Sequence, residues 1–238
     1  MIRTELCEML DIKYPIIQAG MGPFSTTYLA AAVSNAGGMG TLSIPGITTD
    51  PEVGGRRYRE NIRTLLKLTD KNFAANIPVG TRIYPQFLKT TDAYIDAVID
   101  EKMNNPEARK RFKLLITSAG NPERYIEKIK DSGLIHFHVV SSAYHAKKVE
   151  KMGVDGVIAS GYEMGGHTHR ADRVVHTMIL VPQVTDEVDI PVVASGGFCD
   201  AKSFVAALAL GAVGVQMGTR FICTKECEFH ESYKKMYR

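Results

Sequence analysis

No stretch of the 238-residue sequence approaches the roughly 18 consecutive apolar residues that a membrane-spanning helix needs. The first residues carry Arg3, Glu5 and Glu8 where a signal peptide has its apolar core, so no membrane partner and a cytoplasmic location are expected. Cysteine is scarce. Of Cys7, Cys199, Cys223 and Cys227 only the last two are close, spaced C-x-x-x-C without the second pair of a zinc set. No metal is therefore expected, and the cysteines read as free thiols of a reducing compartment. An excess of one charge is missing as well: 29 basic residues are interspersed with 26 acidic ones for a net charge of +3. No field suited to a phosphate backbone results, and nucleic acid is not an expected partner. The densest basic run, Arg109, Lys110, Arg111 and Lys113, reads as the solvated face and end of a helix.

Two nucleotide signatures are also absent. After the first apolar run, Gly20-Met21-Gly22 is followed by Pro23, which breaks the G-x-G-x-x-G pattern of a Rossmann dinucleotide site, and G-x-x-x-x-G-K-[ST] occurs nowhere. No polar linker or change in composition divides the chain, so one domain spanning 1–238 is expected.

What remains is a rhythm of short apolar runs alternating with amphipathic stretches, the pattern of repeated βαβ units around a parallel sheet. Eight strands are predicted: 15–18, 39–42, 73–76, 114–117, 135–140, 156–159, 191–194 and 213–216. Helices are predicted over 28–35, 55–68, 94–103, 123–130, 143–152 and 201–210, several closing on glycine (Gly37, Gly133, Gly153, Gly211). This α/β rhythm fits a doubly wound sheet or a closed barrel equally. Placement of the glycine-rich and polar clusters favours the barrel: 20–22, 118–120, 141–142, 161–167, 195–197 and 218–219 all follow strand ends and would ring one mouth.

Two segments carry chemistry. In PVVASGGFCDAKSFVAALALGA a buried strand runs into Ser195-Gly196-Gly197 and then a helix, and one repeat later Gln216 and Met217 lead into Gly218-Thr219-Arg220. Glycine lets the main chain approach an anion without a Cβ in the way, a helix N-terminus adds partial positive charge, and paired turns after strands seven and eight form the phosphate site of many barrels. The bland reading of each turn alone is a tight βα connection. In GYEMGGHTHR, His167 follows Gly165-Gly166 just past the sixth strand, with Glu163 and His169 nearby. An imidazole with an unperturbed pKa of about 6.5 exchanges protons at neutral pH, which makes His167 the candidate catalytic residue. His138, on a strand, is a second histidine that would reach the mouth.

The segments PIIQAGMG, AAAVSNAGGMGTLS, ITSAGNP, GVDGVIASGYEMGGH, PVVASGGF, ALALGAVGVQMGTRF and TKECEFH resemble the nitronate monooxygenase (2-nitropropane dioxygenase) family across almost the entire chain. The resemblance implies a (β/α)8 TIM barrel with the family's C-terminal extension shortened or absent, and FMN as cofactor. It implies that Ser195, Gly196, Gly197, Gly218 and Thr219 hold the phosphate, with Gln216 and Met217 in the same set. Gly20, Met21 and Gly22 would lie along the isoalloxazine ring, Asn76 near it, and Gly165 and Gly166 would admit it beside His167. The implied activity is oxidation of alkyl nitronates with oxygen. Flavin enoyl-acyl-carrier-protein reductases and NADH:quinone reductases belong to the same superfamily, so NAD(P)H as electron donor is the alternative expectation, and a non-catalytic flavin-binding module is a third. The expected partners are a small-molecule substrate (nitronate, quinone or enoyl thioester) and a second copy in a homodimer. Two residues depart from the family pattern beside the active loop: Met164 stands where relatives often have alanine or serine, and His169 where many have glycine.

Overall fold

The computed structural model describes residues 2–79, 87–166 and 175–237. Its strands are β1 (Ile16–Gln18), β2 (Gly40–Leu42), β3 (Phe73–Pro78), β4 (Phe112–Ser118), β5 (Ile135–Val140), β6 (Gly156–Ser160), β7 (Val192–Ser195) and β8 (Gly214–Met217). They run in parallel in the order β1-β8-β7-β6-β5-β4-β3-β2. The ends of this ribbon meet at an Ile17–Met39 bridge, where Met39 N–H donates to the Ile16 carbonyl and Gln18 N–H to the Met39 carbonyl, each at 2.9 Å. Beyond the bridge a side chain supplies the ladder, because Gln18 Oε1 accepts the Thr41 N–H at 2.9 Å. The result is a (β/α)8 TIM barrel, closed by helices that return each strand to the same end.

Those helices are α1 (Glu5–Leu10), α2 (Thr27–Ala36), α3 (Pro51–Leu68), α4 (Leu88–Asn104), α5 (Pro106–Arg111), α6 (Ile126–Asp131), α7 (Ala143–Met152), α8 (Thr177–Thr185), α9 (Ala201–Ala209), α10 (Thr219–Ile222) and α11 (Glu231–Lys235), with a 3-10 turn at Glu123–Tyr125. None of the described helices is long and apolar enough to cross a membrane. The basic run at 109–113 is the end of α5, whose N-terminus is capped by Asn105.

Strand alternation sorts the apolar residues into two shells. Ile17, Met39, Ala74, Ile116, Phe137 and Ile158 fill the barrel, whereas Leu42, Leu115, Val140, Ala159, Ala194 and Val215 face the helices. At the N-terminal end of the strands α1 acts as a stopper: Leu6 and Leu10 join the barrel filling, and the Leu6 side chain fills the space above Gly214. Asn72 donates to the carbonyls of Leu10 and Asp11, and Thr4 to that of Val213.

The same alternation corrects the expectation for His138. Phe137 points into the barrel, where its ring occupies the space a Cβ on the neighbouring Gly156 would need, so His136 and His138 point outward. There both rings meet one hydroxyl: Thr117 Oγ1 lies 2.7 Å from His136 Nε2 and 2.7 Å from His138 Nδ1. With one proton, the hydroxyl donates to one ring and accepts from the other, which requires a bare ring nitrogen. Burial pushes the His136 pKa down to about 4. Burial, with His145 and His136 close by, pushes that of His138 down to about 3.

Candidate functional site

The C-terminal ends of the strands carry a polar floor inside an apolar barrel. In register, Ser160 pairs with Ser195 and Ser195 with Gln216, so these three side chains share the inner face. Across the mouth, Asn76 lies on the inner face of β3 and Thr41 on that of β2. The Thr41 hydroxyl is fully buried without a hydrogen-bond partner among the described residues. Such an orphan marks a place where a ligand's polar atom is expected.

Around this floor the βα turns gather the residues singled out from sequence. The loop holding Gly20, Met21 and Gly22 is fixed by Met21 N–H, which donates to Ser43 Oγ at 2.6 Å. Ser43 is in turn held by Thr26, whose hydroxyl lies 3.1 Å from Ser43 Oγ and donates to the Thr41 carbonyl at 3.0 Å. Gly20 approaches Asn76 so closely that a Cβ there would lie 2.5 Å from the Asn76 Cβ. Gly218 faces Ala19 and Met21, with 3.8 Å from its would-be Cβ to the Met21 sulfur. A Cβ on Gly165 would stand 3.5 Å from Thr219 Oγ1, and one on Gly166 would meet nothing within 4 Å. Residues 161–166 after β6 and the turns after β7 and β8 therefore lie side by side at the mouth of the barrel. Met217 differs: its side chain joins the outer apolar shell and its carbonyl accepts from Ala19 N–H at 2.8 Å, so it shapes the mouth only through the main chain. His167 and His169 lie outside the described residues.

The turn after β7 is built for close main-chain approach. Gly196 and Gly197 have φ of +100° and +81°, a region hostile to side chains. The amides of Gly196, Gly197, Gly218 and Thr219 find no main-chain acceptor among the described residues. Four amides in two adjacent turns can hold a phosphate. The end of α9 adds less than its position suggests, because Asp200 already caps it by accepting from the Ser203 amide and hydroxyl in a capping box. Those bonds hold the Asp200 carboxyl below its ordinary range, leaving a negative charge at that helix end. For an anion at this mouth the turn amides, rather than the end of α9, are the available donors.

Sequence reading did not reach the residues that brace this mouth: Thr26, Thr41, Ser43, Ser160 and Thr177. Ser160 Oγ donates to the Met164 sulfur at 3.1 Å, turning the unusual methionine toward the floor. Glu163 accepts from Thr177 N–H at 2.9 Å, Thr177 Oγ1 at 2.7 Å and His176 Nδ1 at 3.0 Å. Burial works to raise the Glu163 pKa, but the bonds from Thr177 and His176 outweigh it and bring it down to about 2. Isolated hydroxyls carry no periodic signal, whether on a strand as Thr41 and Ser160 are or in a connection as Thr26 and Ser43 are, and the partners of Thr26 and Thr177, Ser43 and Glu163, lie 17 and 14 residues away.

Comparison with known proteins gives relatives along the full chain. A probable nitronate monooxygenase of Staphylococcus saprophyticus is 35% identical over 260 residues, covering 98% of this chain and 72% of the relative. The (3aS,4S,5R,7aS)-5-hydroxy-7a-methyl-1-oxo-octahydro-1H-indene-4-carboxyl-CoA dehydrogenase of Rhodococcus jostii is 37% identical over 239 residues, covering 99% of this chain and 60% of the relative. Among solved structures, FabK from Thermotoga maritima superposes with a TM-score of 0.84 at 36% identity, over 99% of this chain and 67% of that one. The chain thus spans about 60–72% of the length of these relatives. Since residues 3–238 also match the family model described as nitronate monooxygenase, the chain belongs to the nitronate monooxygenase family.

Proposed function

We propose that this chain is an FMN-dependent oxidoreductase that oxidises alkyl nitronates with oxygen. The observation that carries the reading is the pair of turns after β7 and β8, whose four amides have no main-chain acceptor among the described residues and which lie beside Glu163, Met164 and Gly165 of the loop after β6. A phosphate held at Gly196, Gly197, Gly218 and Thr219 leaves Gly20–Gly22, Asn76 and the orphaned Thr41 hydroxyl to line the space for an attached ring. FMN bound there supplies two-electron redox chemistry that amino-acid side chains lack. The chain's own part is to hold the substrate against the ring, keep water from the floor, and move a proton. His167, which directly follows Gly166, is the residue proposed to orient the nitronate, or to act as the base that takes the α-proton where the substrate arrives as the neutral nitroalkane.

A second reading is favoured by two findings, the likeness to FabK and the relative named as a dehydrogenase of a carboxyl-CoA. In that reading NAD(P)H reduces the bound flavin and an acyl thioester or quinone is the acceptor. One anaerobic titration decides between them. Purified protein reconstituted with FMN should bleach on adding propane-2-nitronate and not on adding NADH or NADPH. Bleaching by a nicotinamide and by no nitronate moves the assignment to the second reading. Well-folded protein with no flavin absorbance above buffer and no thermal stabilisation by FMN defeats both.

A further inference from the structure

We infer that Glu163 is a positioning residue that ties the phosphate turn after β7 to the loop after β6 and to the start of α8. The inference rests on the reading of this mouth as a flavin site. Its carboxylate gathers three donors from two consecutive residues, His176 and Thr177, that lie beyond residues 167–174 in sequence. One of the donors, the Thr177 hydroxyl, fills the crevice between the ends of β6 and β7. A Cβ on Gly161 would stand 2.1 Å from it and one on Gly196 2.9 Å.

On its other side the Glu163 stem lies beside the phosphate turn, where a Cβ on Gly197 would stand 3.5 Å from the Glu163 Cβ. Main-chain bonds complete the tie. Gly161 N–H donates to the Ser195 carbonyl, Tyr162 N–H to that of Val175, both at 3.0 Å, and Met164 N–H to that of Gly161 at 3.1 Å. One side chain therefore bonds the start of α8 and lies beside the turn after β7, while Thr177, which it holds, packs against the ends of β6 and β7. It also occupies the amide end of α8, so a bound anion is left to the turns after β7 and β8.

A helix cap that merely stabilised α8 would not alter the phosphate turn, and this separates the two roles. The variants are Glu163→Ala, Glu163→Gln, whose remaining carbonyl oxygen still accepts from Thr177, and Thr177→Val, which removes only the hydroxyl. In the FMN-free chain, hydrogen exchange should quicken roughly tenfold or more in Glu163→Ala at the Thr177 amide and also at the Gly161 and Tyr162 amides. In the FMN-loaded protein, Glu163→Ala should weaken FMN binding severalfold and lower kcat for propane-2-nitronate roughly ten- to hundredfold, with KM changed less than threefold. Glu163→Gln should recover much of both losses. Faster exchange confined to Thr177, with FMN affinity and kcat within twofold of the parent, would overturn the inference. If Glu163→Ala does not fold, Thr177→Val decides by the same measurements. If the parent turns over no nitronate, the proposed activity fails, while exchange at Gly161 and Tyr162 still decides the role of Glu163.

Discussion

His136 and His138 are neutral because they are buried beside one shared hydroxyl, and this makes stability depend on pH in a defined direction. Their folded pKa values, about 4 and about 3, lie below the ordinary 6.5. The unfolded chain therefore binds protons below about pH 6.5 that the folded chain refuses, and stability falls as the pH drops from there toward 4. At up to about 1.4 kcal/mol per pH unit for each ring, the two together remove roughly 4 kcal/mol by pH 5. Denaturant titrations at pH 7.5 and pH 5 measure this, and His138→Gln should cut the difference by about half. The glycines of the phosphate turn differ from each other at the same scale. A methyl on Gly197 meets only ordinary contact with Glu163, so Gly197→Ala should cost the left-handed strain of about 1–2 kcal/mol. A methyl on Gly196 collides with Thr177 Oγ1 at 2.9 Å and with main-chain atoms of Met164 and Gly161. Gly196→Ala should therefore destabilise more and weaken FMN binding further, as read by thermal melts and flavin fluorescence.

Among the elements, one acidic side chain near the C-terminus holds two distant parts together. Glu228 accepts from the amides of Tyr28 and Leu29 at 3.2 Å and from Ser25 Oγ at 3.3 Å, capping α2 where its own Thr26 makes no cap. Glu228→Ala should cost about 1 kcal/mol, a fall in melting temperature of about 2–4 °C for a chain of this size. Most elements were readable in the sequence for a simple reason. β6 at Gly156–Ser160 is an almost wholly apolar run because it is buried on both faces, and helix α7 at Ala143–Met152 has the bounds predicted for it because Ser142 caps its start and Gly153 ends it. Five of the described helices were not: α1, α5, α8 and the short α10 and α11. α1 has six residues and an uncapped start, and is helical because Leu6 and Leu10 find the barrel floor. α8 reads TMILVPQVT, apolar on all sides with Pro182 inside, and neither periodicity nor a stop signal reveals it. α5 showed only its basic end. For the site, the glycine turns were legible because a glycine pair after an apolar run is a local signal. The orientation of His138 was not, since it depends on Phe137 claiming the interior.

For the molecule as a whole, chemistry and stability are assigned to opposite ends. The described candidate residues lie at the C-terminal ends of the strands, while α1 seals the other end with Leu6 and Leu10 fully buried. Leu6→Ala should open a cavity and cost about 2–5 kcal/mol, yet leave FMN affinity and turnover of the surviving folded protein unchanged. A matching loss of FMN affinity would show that the two ends are coupled.

The single bridge between Ile17 and Met39, with the Gln18 carboxamide beside it, has one more consequence. A cylinder whose other seven joints are ladders of three or more residue pairs has an uneven hoop strength, and thermal fluctuations should part it first along this seam. The weak line runs directly beneath Gly20–Gly22. The barrel is thus easiest to prise open on the side proposed to face the ring, and a ligand bridging the seam would act as a clasp on the whole hoop.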